Sequence, residues 1–441
     1  MLTMPTIFRW PARIAAAGAF LAIAVQGASA IEIQRVVSPG GIEAWLVEDY
    51  TVPLVTVDVA FEGAGAAQDP ADKAGLANLV SGLLDEGAGT LGSAAFQERL
   101  KDEATQLSFD VGRDHFYGDL RTLSTGFEEG LGMLRLALVE PRFDPEAIER
   151  VRAQVITGIR SADRDPDERA ARLWSRTAYP DHPYGRPTEG TQETVAAITR
   201  DDLVGFHRRS LARDNLHVAV VGAIDAATLG PLLDETFGDL PATAELAPVP
   251  DVTPVGGLTV REQLPVPQTA VRFGMNGLKR ADPDFMAAFV MNHILGGGTF
   301  SSWLFEEVRE KRGLAYSVYS YIVPFDAGGI FGGGTSTRAD QAGEALGVIL
   351  AQIERMAAEG PSEEELADAK RFLTGEYALR FSSSGAIARQ LLAIQLEDLG
   401  IDYVDRRNAL VEAVTLEDLR RVAGRILSEP PTIALVGPGE V

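Results

Sequence analysis

The sequence contains 441 residues, and its acidic side chains outnumber its basic ones, giving a formal net charge of −23 at pH 7. This charge argues against nucleic acid and anionic membrane surfaces as partners. The chain has no cysteine, which excludes disulfides and thiolate chemistry, and it exceeds the ~250–300 residues that a single hydrophobic core usually serves.

The N-terminal segment, residues 1–30, has the pattern of a secretory signal peptide. Two arginines precede an apolar stretch at residues 14–25, and a small-residue Ala-Ser-Ala cleavage pattern ends at Ala30. An uncleaved anchor is the alternative, but the apolar stretch is shorter than the about 20 residues that a membrane helix needs. We therefore expect a mature chain that starts at Ile31, is secreted across the inner membrane into the periplasm, and has no stable membrane insertion.

An internal repeat organises the mature chain. A Val-Pro pair followed by an alternating apolar run, a threonine-capped helix, and a short apolar strand ending in glycine each recur about 215 residues later. The matched pairs are Val55–Phe61 with Thr269–Phe273, the helices that follow Thr199 and Thr415, and Val218–Gly222 with Ile433–Gly437.

The repeat predicts two homologous domains, residues 31–240 and 258–441. They are joined by a linker rich in proline, alanine and glycine at residues 241–257. In each domain strands are grouped together and helices follow them, which is typical of an α+β fold with helices covering a mainly antiparallel sheet. Further predicted strands lie around 107–111, 116–120, 314–323 and 329–337, and predicted helices at 127–139, 144–160, 165–178 and in the stretch 339–413.

Three short segments carry further information. Residues 75–82 read GLANLVSG within a predicted helix, and residues 295–305 read LGGGTFSSWLF. Residues 309–318 read REKRGLAYSV, in which Gly313 suits the end of a helix and Leu314 begins a predicted strand. The glycine run is not followed by Gly-Lys-Ser/Thr, so a phosphate-binding loop is disfavoured; we expect a flexible turn that caps a helix starting near Ser301, and a role towards substrate stays open.

Together with the repeat, these segments resemble the pitrilysin/insulinase family of zinc metallopeptidases, which includes the mitochondrial processing peptidase and core proteins of respiratory complexes. The resemblance covers nearly all of the mature chain and implies that its two domains form half of a clamshell. Active members carry H-x-x-E-H in the first segment, where two histidines on one helical face bind zinc and the glutamate takes a proton from the bound water.

The zinc motif is missing from this chain. Asn78, Ser81 and Gly82 occupy the positions of the two histidines and the glutamate, and the third ligand of the family, a later glutamate, aligns with Gly158 within a residue or two. An amide, a hydroxymethyl group and a hydrogen atom are poor or absent ligands. The five histidines include no pair at i, i+4 spacing and are more often fold residues than ligands; they are His115, His182, His207, His217 and His293. We therefore predict no metal and no cofactor in this chain.

The third segment contains the two residues that the resemblance assigns to substrate binding. In the family an arginine and a tyrosine, here Arg309 and Tyr316, reach across the clamshell, hold the substrate backbone and donate to the carbonyl oxygen under attack. The alternative is structural: Arg309 pairs with Glu306 or Glu310, and Tyr316 packs beneath the helices.

The resemblance implies a non-zinc-binding subunit of a heterodimeric, secreted zinc metallopeptidase that hydrolyses peptides. On this interpretation the chain is inactive alone, a homologous partner carries H-x-x-E-H and the zinc ion, and Arg309 and Tyr316 serve the partner's active site. The alternative is a non-enzymatic scaffold or peptide-binding module of a periplasmic or membrane-associated complex.

Overall fold

Two β-sheets, one in each half of the chain, organise the fold. The computed structural model describes residues 31–439, and the predicted signal peptide, residues 1–30, lies outside them. From Glu32 onward the chain packs as one unit. None of the helices within residues 31–439 is both long enough and apolar enough to cross a bilayer.

The first half contains a six-stranded sheet with the order β1-β2-β8-β3-β7-β6, in which only β2 and β8 are parallel. Its strands are β1 (Gln34–Val37), β2 (Glu43–Glu48), β3 (Leu54–Phe61), β6 (Gln106–Val111), β7 (Phe116–Leu123) and β8 (Leu216–Gly222), with β4 (Gly87–Ala88) and β5 (Leu91–Gly92) forming a separate small hairpin. Its helices are α1 (Leu76–Ser81), α2 (Ser93–Asp102), α3 (Phe127–Val139), α4 (Pro145–Ala162), α5 (Pro166–Ala178), α6 (Gln192–Ala197), α7 (Arg200–Ser210) and α8 (Ala226–Phe237).

The second half contains a five-stranded sheet with the order β11-β12-β10-β13-β9, in which only β13 and β9 are parallel. Its strands are β9 (Thr259–Gln263), β10 (Gln268–Asn276), β11 (Ala315–Phe325), β12 (Gly328–Arg338) and β13 (Thr432–Gly437). Its helices are α9 (Phe285–Asn292), α10 (Ala342–Ala358), α11 (Glu363–Tyr377), α12 (Ser384–Leu396), α13 (Tyr403–Ala413) and α14 (Leu416–Ile426), and two π-helical turns lie at His293–Gly297 and Phe305–Glu310.

The two sheets share one topology, which confirms the predicted repeat and the α+β fold class. In the first sheet the edge hairpin β6–β7 is followed by β3, β8 and β2, and in the second sheet the edge hairpin β11–β12 is followed by β10, β13 and β9. Strand β2 is parallel to β8, and β9 is parallel to β13. Thr199 and Thr415 cap equivalent helices, and each hydroxyl accepts from the backbone amide three residues on. Strands β1, β2, β4, β5 and β9 were not predicted, because they lie outside the matched landmarks.

The segment between the halves, residues 241–257, contains no helix or strand but is fixed along its length. The amide of Arg213 donates to the carbonyl of Pro241 at 2.9 Å, which ties it to the first half. The amide of Val252 donates to the carbonyl of Ala327 at 2.7 Å, which ties it to the second.

The two halves exchange one helix each. Helix α5 belongs to the first half in sequence but packs on β10 and β13 of the second sheet. Helix α12 belongs to the second half but packs on β3 and β8 of the first sheet. A sheet with helices on one face leaves the other face open, and each half closes the open face of its neighbour.

Trp174 anchors the first of these exchanged helices. Its indole is buried, and Nε1 donates to the carbonyl of Thr432 on β13 at 3.0 Å. The ring lies directly over Gly274 on β10, so closely that a Cβ there would collide with it. Only glycine at this position lets the indole reach the sheet.

We expect Gly274→Ala to lower the free energy of unfolding by about 1–3 kcal/mol, because the added methyl group overpacks the indole. We expect Trp174→Ala to cost about 3–5 kcal/mol. The double variant should lose less than the sum, since without the indole nothing opposes the methyl group. Denaturant unfolding measures all three.

The matched control is Gly375→Ala on α11, where no atom would contact the added methyl group; it should be neutral or slightly stabilising. Strict additivity of the Gly274 and Trp174 effects would contradict the described packing.

Candidate functional site

Helix α1 carries the positions that hold the H-x-x-E-H zinc motif in active members of the family that the sequence resembles. The helix begins after Gly75, and buried Asp69 caps it: its carboxylate accepts from the amides of Gly75 at 2.8 Å and Ala77 at 3.0 Å. Burial raises the pKa of Asp69 to about 7. Helix α1 is therefore capped and fixed in place, although it carries no zinc ligands.

The four predicted positions offer no ligand set. The Ser81 hydroxyl donates to the carbonyl of Asn78 at 2.9 Å, so it is satisfied by its own helix. Gly82 caps the end of α1, and a Cβ there would lie 3.1 Å from Val151 on α4. Gly158 lies two turns further along α4, with open space where a side chain would be.

Four of the five histidines hydrogen-bond to other parts of the fold. His182 contacts the carbonyl of Pro250 in the segment between the halves at 3.0 Å, and His207 contacts the carbonyl of Leu138 at 2.7 Å. Burial lowers the pKa of both imidazoles. The others are His115, which accepts from the amide of Gly63, His217, which contacts Glu62, and His293, which stacks on Phe372.

These residues do not fit a zinc ion. Across residues 31–439, no three histidine, aspartate or glutamate side chains converge in a way that could hold a metal. The amide of Asn78 and the self-satisfied hydroxyl of Ser81 are the only polar side chains at the four motif positions, and neither provides the imidazole or carboxylate that zinc requires.

Arg309 lies in the π-helical turn Phe305–Glu310 and faces aromatic rings. Its guanidinium carbon lies 4.6 Å from the ring centre of Phe305, 4.7 Å from that of Tyr316 and 6.0 Å from that of Phe300. The turn is widened by a bond from the amide of Lys311 to the carbonyl of Glu306, five residues back. Such widened turns are frequent at functional sites. We call Arg309 and these three rings the aromatic cluster.

A β-bulge exposes Tyr316 beside Arg309. Strand β11 is at the edge of the second sheet, and its pairing with β12 slips between Ala315 and Val318. The extra residue breaks the alternation, so that Tyr316 and Ser317 are both exposed between two buried neighbours. Tyr316 is 81% exposed, so the alternative in which it packs beneath the helices is wrong.

The same alternative pairs Arg309 with Glu306 or Glu310, and only a long contact with Glu310 is present. Arg309 Nε lies 3.7 Å from Glu310 Oε1, while Glu306 pairs with Lys311 instead. No other ion pair of Arg309 occurs among the described residues. Most of the guanidinium's hydrogen-bonding capacity is therefore free for another molecule.

The glycine run next to the aromatic cluster is closely packed, which corrects the expectation of a flexible turn. A Cβ on Gly296 would lie 2.6 Å from the backbone nitrogen of Ser320 on β11. The run overlaps the end of the π-helical turn His293–Gly297, and Thr299 then adopts a positive φ of 47°. Thr299 is β-branched, so this conformation is strained.

Phe300 and Phe305 were quoted in the glycine-rich segment but were given no role by the sequence. Phe300 is 74% exposed and Phe305 is buried, and their rings meet edge to face at 5.0 Å. The only signal in the sequence was that Phe300 lies two residues after the glycine run. The cluster offers an exposed hydroxyl, a guanidinium held between rings and an exposed apolar ring, which together can bind an extended peptide.

Comparison with known proteins gives this arrangement a family context. Residues 45–192 match the model of insulinase (peptidase family M16), and residues 197–373 match that of the peptidase M16 inactive domain. The chain is 31% identical to an uncharacterized zinc protease of Streptomyces coelicolor over 72% of this chain and 71% of that protein. It is 27% identical to a non-peptidase homolog of Helicobacter pylori over 76% and 77% of the two chains.

A solved structure from Pseudomonas fluorescens, described as a peptidase M16 inactive domain, superposes with a TM-score of 0.87. It is 27% identical in sequence, and the match covers 93% of this chain and 99% of that one. The sequence match and the structural match therefore agree on one family and extend across both halves.

We expect the purified chain to retain far less than one zinc ion per molecule after dialysis, because no ligand set exists at the motif positions. Elemental analysis by mass spectrometry measures this. A tightly held, stoichiometric zinc ion would contradict the interpretation, and loss of that ion in a His115→Ala or His293→Ala variant would locate it.

Proposed function

Because this chain belongs to the insulinase family of peptidases, M16, as a non-catalytic member, we propose that it is the zinc-free subunit of a heterodimeric metallopeptidase. A homologous partner holds the zinc ion and the activated water. This chain supplies Arg309 and Tyr316 to the partner's active site, where a peptide is hydrolysed.

One contrast carries the proposal. The first half lacks every zinc and base side chain, yet the second half keeps Arg309 and Tyr316 side by side on the surface. An exposed tyrosine over an arginine adds little to folding stability, since cation–π contacts at exposed sites are worth about 0.5–1 kcal/mol. A β-bulge and a widened helical turn place these two residues together, which favours a role outside this chain.

The chemistry of the two side chains suits peptide hydrolysis in trans. The planar guanidinium of Arg309 can donate two parallel hydrogen bonds to a carbonyl or carboxylate of the substrate. The Tyr316 hydroxyl can donate to the oxygen that becomes negative as water attacks, and such donors are worth about 2.7–4 kcal/mol in the transition state. Phe305 and Phe300 restrict the guanidinium, so less conformational freedom is lost when substrate binds.

Substrate entry follows from how the halves are joined. The exchanged helices and the fixed segment at residues 241–257 hold the two halves of this chain together. A hinge within residues 241–257 is therefore disfavoured. We propose that the chamber opens between the two subunits rather than within this one.

The test begins with a tagged copy of this chain, used to co-purify the partner from its native source. In the reconstituted pair, we expect Tyr316→Phe to lower kcat/KM for peptide hydrolysis by about 10²–10³. We expect Arg309→Ala to lower it comparably, mainly through weaker peptide binding. Steady-state peptidase assays measure both, and co-elution confirms that each variant still forms the pair.

The matched controls are Tyr319→Phe, a partly exposed tyrosine on the same strand, and Arg312→Ala, whose guanidinium pairs with Glu307. Both should keep the rate of the unaltered pair. Unchanged rates for Tyr316→Phe and Arg309→Ala would refute the shared site. A partner whose peptidase rate is independent of this chain would support the scaffold alternative.

We further propose that the pair acts in the periplasm. This rests on residues 1–30, whose basic start, apolar stretch and small-residue end are typical of a cleaved signal. N-terminal sequencing of the mature protein from its native source should begin at Ile31. A start within residues 1–25 would contradict cleavage at the predicted site.

A further inference from the structure

The β-bulge that exposes Tyr316 needs contacts beyond the strand ladder to hold its shape. On β11 the two residues Tyr316 and Ser317 face the single residue Ser336 of β12, because the pairing of the strands shifts there. A bulge interrupts the ladder of backbone hydrogen bonds and leaves its extra residue unpaired. The direction in which Tyr316 points therefore depends on whatever else fixes the backbone at this place.

Two buried threonines of β12 bond to the β11 backbone on either side of Tyr316. The Thr335 hydroxyl donates to the carbonyl of Ser317 at 2.7 Å, and the Thr337 hydroxyl donates to the carbonyl of Leu314. Thr335 is 1% exposed and Thr337 is 2% exposed. Valine has the same shape and no hydroxyl to desolvate, so what threonine adds at these two positions is the hydrogen bond.

The same backbone segment is tied to the helical turn that carries Arg309. The amide of Leu314 donates to the carbonyl of Val308, the residue before Arg309, at 2.9 Å. Leu314 is thus bonded through its amide to the turn and through its carbonyl to Thr337. This short path sets the position of Arg309 relative to Tyr316.

The exchanged helix α5 holds the strand opposite the bulge from its other face. The Ser336 hydroxyl donates to the carboxylate of Asp167 on α5 at 2.8 Å, and Asp167 pairs with Arg272 of β10 at 3.2 Å. Successive residues of a strand point to opposite faces of the sheet. Contacts on both faces of β12 therefore fix the strand against which the bulge is built.

We propose that Thr335 and Thr337 are positioning residues for the shared peptidase site. Their hydroxyls fix the bulge, so that the Tyr316 hydroxyl and the Arg309 guanidinium meet the substrate together. Both threonines are buried and act through Tyr316 rather than on the substrate. Their effect on catalysis rests on the proposed function, whereas their effect on the bulge can be measured on this chain alone.

The first test measures amide hydrogen exchange by mass spectrometry on the full mature chain alone. Thr335→Val removes one hydroxyl and keeps the shape of the side chain. We expect the amides of residues 314–319 to exchange about ten-fold faster in this variant, because the carbonyl of Ser317 loses its partner and the bulge opens more often. Thr335→Ser keeps the hydroxyl and should exchange like the unaltered chain.

The matched control is Thr269→Val on the neighbouring strand β10. Thr269 is fully buried as well, but its hydroxyl has no hydrogen-bond partner among the residues that the structure describes. This variant should leave the exchange of residues 314–319 unchanged.

The second test measures peptide hydrolysis by the reconstituted pair. We expect Thr335→Val and Thr337→Val each to lower kcat/KM by about ten-fold, because a slightly displaced donor loses much of its effect on the transition state. In the Tyr316→Phe background Thr335→Val should cause no further loss, since the hydroxyl that it positions is absent. A merely structural role would lower the rate equally in both backgrounds. Thr335→Ser and Thr269→Val should keep the rate of the unaltered pair.

Three results would overturn the proposal: unchanged exchange at residues 314–319 in Thr335→Val, a rate that falls in Tyr316→Phe but not in Thr335→Val, or an equal loss from Thr335→Val in the Tyr316→Phe background. An unchanged rate in Tyr316→Phe itself refutes the shared site. It then refutes the catalytic role of the threonines too, even where hydrogen exchange shows that they hold the bulge.

Discussion

The structure depends on one packing constraint: a sheet that carries helices on one face must have its other face covered. Each half meets this need with a helix from the other half, α5 over the second sheet and α12 over the first. The indole of Trp174 over Gly274 shows how close that packing is. Because neither sheet is complete without the other half, the repeat is a single folding unit, and relative motion of the halves is restrained.

That restraint gives the aromatic cluster a fixed position. Tyr316 sits on an edge strand whose bulge turns it outward, and Arg309 sits on a helical turn that is widened to face it. Both elements pack against the glycine run, where Gly296 allows β11 to approach closely. In the function that we propose, this rigid pair of donors preorganises a site that a second subunit completes.

The two halves have diverged in chemistry while keeping their topology. In the first half, α1 is capped by Asp69 and packed into the core, but it carries none of the zinc ligands of active family members. The second half keeps Arg309 and Tyr316, the two side chains that we propose bind peptide. The exchanged helices differ as well: α5 buries an apolar face and pairs Arg169 and Arg176 with Glu262, whereas α12 covers a cavity lined by charged side chains of the first sheet.

The repeat, the α+β class and the missing zinc ligands could be read from the sequence, because periodicity, caps and motif spacing are local properties. The family resemblance pointed to Arg309 and Tyr316 as candidate site residues. The sequence did not show the helix exchange, since α5 and α12 carry the same apolar patterns whichever sheet they cover. It also gave no role to Phe300 and treated the glycine run as flexible. Only tertiary structure decided these points, because contacts such as Gly296 with Ser320 or Arg121 with α12 join residues far apart in the chain.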